Sequence, residues 1–212
     1  MLTPHHQAFV DAASIALDLA TQPPVTAAWE SESACAGMSV GGLAHHLLRQ
    51  VVIAAELLDA EPGPQPIALL EHYERAAWVK GGHDDPANVG VRTRSDEQAA
   101  VGPEAVSAEA RAALDRVPAL LDRPREPDSV LIPWQDWSLT VDDFVTTRLM
   151  ELVVHCDDLA ASVDLPTPEF PEAVLAPVLG LLTGVAVRRH GQVAVVRALS
   201  RPQRAPEQVS AF

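Results

Sequence analysis

Apolar residues recur at helical spacing along most of this chain, and clusters of proline and glycine interrupt them. The pattern predicts a first helix over about residues 4–20, ended by Pro23-Pro24, and then a connecting loop over 29–38. Ser39 is a candidate N-cap for a second helix over about 40–60, which Glu61-Pro62-Gly63-Pro64 closes. A third helix is expected over about 67–80, stopped by Gly81-Gly82, and 83–94 is polar and predicted to be irregular. A fourth, Ala-rich helix over about 103–121 carries Glu104, Glu109, Arg111 and Asp115 on its wet side. Residues 122–138 hold three prolines, two tryptophans and no helical period, so they read as a long ordered loop. Thr140 opens a fifth helix running to about 162, with Asp143 at the capping-box position. Helices over about 171–189 and 192–199, separated by Gly191, complete the pattern. No internal repeat is present.

Composition sharpens the fold class. Apolar residues make up 48% of the 212, but aromatics only 4%, so the core must be Ala, Leu and Val, which favours helices over sheets. The 18 prolines fall mostly between the apolar segments. The expectation is an all-α protein with one domain over 1–212: an antiparallel bundle over about 4–163 and a helical appendage over about 169–212. The greasiest run, 174–187, is too short to span a bilayer and reads as a buried helix.

A net charge of −14 and a pI near 4.8 argue against nucleic acid or an anionic membrane as partner, since both require clustered Lys and Arg. Two cysteines, Cys35 and Cys156, make no disulfide framework, and the N-terminus lacks the basic start of a signal peptide. A reducing cytoplasm is the expected location. Gly41-Gly42 is not a phosphate loop, because no strand precedes it and no Lys follows.

Helical geometry, at about 100° per residue, sorts the ionisable groups by face. In the second helix Leu43, Leu47, Ala54, Leu57 and Leu58 share an arc that includes His46, whereas His45 lies opposite with Arg49 and Glu56. His46 is therefore expected to point inward and His45 into solvent. In the fifth helix Phe144, Leu152 and Leu159 define the buried face, and Arg148, Glu151, His155 and Asp158 fall along it. Four ionisable groups on a buried stripe are costly unless paired or ligated. His46, Glu151 and His155 would form a two-His, one-carboxylate site with an open position, the donor set of a catalytic zinc centre, though other divalent metals suit it too. The alternative is a ladder of ion pairs, Arg148 with Glu151 and His155 with Asp158, that only fixes helix packing.

At these residues the chain resembles a known family. The segment Cys35-Ala-Gly-Met-Ser-Val-Gly-Gly-Leu-Ala-His-His-Leu47 resembles a family stretch of Cys, Pro, Gly, Trp, Ser or Thr, Val, two variable residues, Leu, two more, then His-Leu. Arg148-x-x-Glu151-x-x-x-His155-x-x-Asp158-Leu159 is similar to its second motif, and the stretch from Arg188 to Leu199, followed by Phe212, to its C-terminal helix. The family is the mycothiol-dependent maleylpyruvate isomerases of the DinB-like superfamily. The resemblance implies a DinB-like four-helix bundle with added C-terminal helices, holding a divalent metal through His46, Glu151 and His155. It also implies a low-molecular-weight thiol, notably mycothiol, used for isomerisation or S-transfer. Met38 and Ala36 depart from the family's usual Trp and Pro, and the chain is expected to lack the sterol-carrier-like domain of some relatives.

The expected function is thus a metal- and thiol-dependent transferase or isomerase acting on a small electrophile. Zinc is the expected metal, with nickel another candidate. Arg148 would stabilise negative charge on the substrate, and Asp158 would orient His155 by accepting its second ring N–H. The partners are the small-molecule substrate and the thiol, with a homodimer among the expected assemblies. Competing readings are a non-catalytic metal- or ligand-binding bundle and a hydrolase using bound water. Cys35 and Cys156 are read as packed residues, His5, His6 and His45 as solvated, and His190 is assigned no chemistry. Trp134 and Trp137 are read as core or as cover for the pocket mouth, and the loop starting at His83-Asp84-Asp85 as a polar loop.

Overall fold

A computed structural model describes residues 1–82 and 84–212, so the reading of His83 lies outside the described residues. Four long helices make the body: α1 (Pro4–Ala20), α3 (Val40–Asp59), α7 (Pro103–Asp122) and α8 (Val141–Ser162). Between α1 and α3 lies the short α2 (Pro23–Ala27), where the two prolines that end α1 begin a new turn. The expected caps are formed. Ser39 Oγ accepts the Gly42 N–H at 2.9 Å and Thr140 Oγ1 accepts the Asp143 N–H at 3.1 Å. Facing side chains of the four helices, among them Phe9, Leu43, Leu47, Phe144, Leu149 and Leu152, are fully buried. Each contributes about 1.5–3 kcal/mol of burial. The protein is an all-α, DinB-like helical bundle.

The expected third helix breaks in two, α4 (Leu69–Arg75) and α5 (Ala77–Lys80), because Ala76 takes an extended conformation (ψ 123°) and is fully buried. The segment expected to be irregular contains a helix, α6 (Pro86–Ala99). Asp85 caps it, accepting the Ala87 N–H at 2.9 Å, and Pro86 sets its first turn. α6 has no apolar stripe to announce it. Docking on α3 holds it instead, through the Asp96 carboxylate, which accepts the Ser39 N–H at 3.0 Å and the Ser39 hydroxyl at 2.6 Å. That close approach explains Gly41 and Gly42. A Cβ on Gly42 would lie 2.0 Å from Asp96 Oδ1, and one on Gly41 2.6 Å from the Trp29 ring.

The expected loop over 122–138 holds a small antiparallel hairpin, β1 (Val130–Ile132) and β2 (Trp137–Leu139), with Val130 opposite Leu139. Its three-residue strands are too short for alternation to show in the sequence, and the turn between them uses a positive φ of 62° at Asp136.

Two helices follow α8: α9 (Glu172–His190) and α10 (Gln192–Ser200). The expectation of a buried helix holds for one face of α9. Val174, Val178, Leu181, Val185 and Ala186 are buried against α8 and α1, while Leu179 is 57% exposed. By length and composition α9 meets the minimum for crossing a bilayer, with 28% of its apolar window buried.

Candidate metal centre

α3 presents His46 toward α8, and α8 presents Glu151 and, one turn on, His155. The three side chains meet. Glu151 Oε2 lies 3.5 Å from His46 Nε2 and 3.3 Å from His155 Nε2, and the two imidazoles sit edge to face with centroids 4.8 Å apart. Bonds of ~2.1 Å at tetrahedral angles place ligand atoms about 3.4 Å apart, so this carboxylate-to-imidazole spacing fits a divalent ion. Side-chain exposures of 20%, 14% and 21% leave the group reachable from solvent. The residues present could hold a metal.

The protonation pattern agrees with this geometry. Burial lowers His46 below the ordinary imidazole value. Burial pushes Glu151 up, yet hydrogen bonds from His155 and His46 outweigh it and hold the carboxyl well below its usual range. Burial works against charge on His155 too, but Asp158, Cys35 and Glu151 raise it well above normal. A proton therefore sits among these atoms when no cation does.

The flanking residues divide. Asp158 Oδ2 lies 2.9 Å from His155 Nδ1, which leaves Nε2 facing Glu151. Arg148 is 9% exposed and has no carboxylate within ion-pair distance among the described residues. Its Nη1 donates to Gln50 Oε1, its Nε to Thr147 Oγ1 at 3.1 Å, and its guanidinium lies 5.6 Å from the Phe144 ring. The ladder weighed against the metal set thus has one rung, His155–Asp158. The Arg148–Glu151 rung is replaced by Glu151 shared between two imidazoles.

Other expectations need correction. His45 does not face solvent: it is 7% exposed on α3, which packs against α6 and α7 as well as α8, its Nδ1 has no partner among the described residues, and burial lowers its pKa to about 4. The helical wheel missed this because α3 is covered on more than one side. His5 and His6 are not merely solvated either. His6 Nε2 meets Asp142 Oδ1 at 2.9 Å, and His5 Nε2 meets Asp142 O and Thr146 Oγ1 at 3.1 Å each, tying α1 to the start of α8. Cys156 is buried, with its thiol pushed up to about 12, as expected of a packing residue. Cys35 is partly exposed beside His155, and Cys35, His155 and Asp158 form a second group whose donor atoms all lie within 4.8 Å. His190 bonds the Ser210 carbonyl at 2.8 Å. Trp134 is 58% exposed, while Trp137 reaches into the protein and donates its indole N–H to His72 Nδ1 at 3.0 Å. Gln50 and His72 lie in no motif, and only the fold brings Gln50 to Arg148 and His72 to Trp137.

A helical bundle that gathers two imidazoles and a carboxylate between two of its long helices defines the protein as a DinB-like bundle with a candidate metal centre. Residues 10–160 match the model of the mycothiol maleylpyruvate isomerase N-terminal domain family, and the chain belongs to that family. Comparison with curated proteins and with solved structures gives no match.

Proposed function

We propose that the protein is a metal-dependent enzyme that uses mycothiol, or a similar low-molecular-weight thiol, to isomerise or transfer sulfur to a small electrophile in the cytoplasm. The observation that carries this reading is the convergence of His46, Glu151 and His155 at ligand spacing in a chain of this family. These three residues would hold the metal, with zinc the best fit to the donor set. A bound divalent ion supplies a Lewis acid that keeps a coordinated thiol deprotonated, and the thiolate supplies the nucleophile.

The chain's own residues supply the rest. Asp158 fixes the His155 ring so that Nε2 is the ligating nitrogen. Gln50 and Thr147 hold the Arg148 guanidinium, which has no carboxylate at ion-pair distance among the described residues, ready to stabilise negative charge on the substrate. Partial exposure of the three ligands lets thiol and substrate approach.

The test is cobalt substitution followed by addition of mycothiol. The expected results are one ion bound per chain and a new sulfur-to-cobalt absorption band. Failure to take up a divalent ion, or a cobalt spectrum indifferent to thiols, overturns the reading. Thiol-independent turnover would instead point to a hydrolase built on the same ligands.

A further inference from the structure

The basic residues of this acidic chain are unevenly spread. Residues 188–212 carry five arginines and a single glutamate, whereas the whole chain has 15 basic and 29 acidic residues. Five arginines meet carboxylates: Arg49 pairs with Glu56, Arg75 with Glu71, Arg116 and Arg123 with Asp59, and Arg188 with Glu74. Three arginines near the C-terminus do not. Arg197 and Arg204 have no side-chain partner among the described residues, and Arg201 donates to the Ser200 carbonyl at 2.6 Å without meeting any acid there. Three exposed guanidinium groups are thus left without a counter-charge in a protein that has acids to spare.

These arginines share one groove. α10 packs on α9 with Val195 buried, and a 3-10 turn (Pro202–Arg204) follows it. Val193, Val196, Arg197, Ser200, Arg201 and Arg204, spaced three or four residues apart and so on one side of the helix and turn, line a groove of about 540 Å³. Pockets of roughly 300–1,000 Å³ suit small molecules. Val193 and Val196 are 54% and 61% exposed. Along the groove the aliphatic side chains come first and the cationic ones last, so it is apolar at one end and positive at the other. A guanidinium offers parallel N–H donors that match the oxygens of a carboxylate or phosphate, and exposed aliphatic surface gains by being covered with hydrocarbon.

We propose that this groove binds a small amphipathic oxyanion: a carboxylate or phosphate group held by Arg197, Arg201 and Arg204, on a short hydrocarbon chain lying along Val193 and Val196. A small molecule suits it better than nucleic acid or an anionic membrane, because an extended polyanion would also face the acidic remainder of the chain. The groove shares no residue with the group of His46, Glu151 and His155, so the proposal stands whether or not that group holds an ion.

Octyl phosphate, kept below its critical micelle concentration, is the probe, with inorganic phosphate and octanol as its separate halves. Calorimetry should show one saturable site per chain for octyl phosphate, about tenfold or more tighter than for either half. Backbone amide shifts in NMR spectra should concentrate over 192–204. Replacing all three arginines (Arg197→Gln, Arg201→Gln and Arg204→Gln) should weaken octyl phosphate about tenfold or more. The single change Arg204→Glu, which lies outside α10 and so spares the helix, should weaken it about threefold or more. Val193→Ser combined with Val196→Ser should weaken octyl phosphate but not inorganic phosphate. No saturable binding, binding that the arginine variants keep, or shifts confined to α3 and α8 overturns the proposal. Affinity for phosphatidylglycerol vesicles without affinity for soluble octyl phosphate also overturns it and assigns the face to a membrane surface.

Discussion

His155 Nδ1 and Asp158 Oδ2 lie 2.9 Å apart, so one carboxylate decides which nitrogen of the imidazole is available to the bundle interior. Because Nδ1 is engaged from below, Nε2 faces Glu151 and His46. Replacing Asp158 with Ala should leave the fold intact and reduce metal affinity about 10–100-fold, as loss of a partner behind a ligating histidine does. Competition against a chelator of known affinity measures it. Unchanged affinity would remove Asp158 from the site.

Two candidate ligand groups share His155, and single substitutions separate them. His46→Ala should abolish stoichiometric metal binding, while Cys35→Ala should bind metal as the wild type does. The reverse result would assign the ion to Cys35, His155 and Asp158. Metal content per chain, measured on both variants, decides.

The pH dependence follows from the opposed shifts at Glu151 and His155. Glu151 is depressed, so its contribution to metal-free stability is present above about 4.5 and is lost as pH falls through its lowered value. His155 is raised, so its contribution is present below about 6.5 and is lost as pH rises through its raised value. Together they contribute fully between those limits. A metal must displace the His155 proton, so metal affinity should fall as pH falls. Thermal melts across pH, with and without zinc, should show zinc stabilising most on the alkaline side.

His45 carries the opposite sign. Its pKa is lowered to about 4, so the unfolded chain binds a proton that the folded chain refuses, and stability drops as pH falls from 6.5 toward 4. His45→Leu removes both this cost and the unpartnered Nδ1. It should stabilise the protein by about 1 kcal/mol or more and flatten the acid limb of the stability curve, without changing metal content. A destabilised variant would show that the imidazole has a partner in solution.

Gly42→Ala should destabilise by about 1–3 kcal/mol, since its Cβ would meet the Asp96 carboxylate that ties α6 to the start of α3. Asp96→Ala, which frees that space, should lessen the penalty of Gly42→Ala in a double-mutant cycle of chemical denaturation. Equal penalties in both backgrounds would mean the glycine serves another purpose.

Much of the molecule was legible from residue pattern alone. The long helices, the Ser39 and Thr140 caps, and the placement of His46, Glu151 and His155 on interior faces all follow from local rules: a 3.6-residue period, a side-chain oxygen before the first turn, and neighbours four residues apart. Such rules act within a single turn or two, so they survive without knowledge of what lies opposite. The meeting of those faces at ligand spacing, the burial of His45, the docked polar helix α6, the break at Ala76 and the hairpin that carries Trp137 to His72 needed the assembled fold. Each depends on contacts between segments far apart in the chain, such as Ser39 with Asp96 or His72 with Trp137, and no periodicity within either segment encodes its partner. Local sequence chose the helices and their inward faces, while the chemistry available at the centre was set by long-range packing, which alone decides which buried groups are left with a proton, a charge or a lone pair to offer.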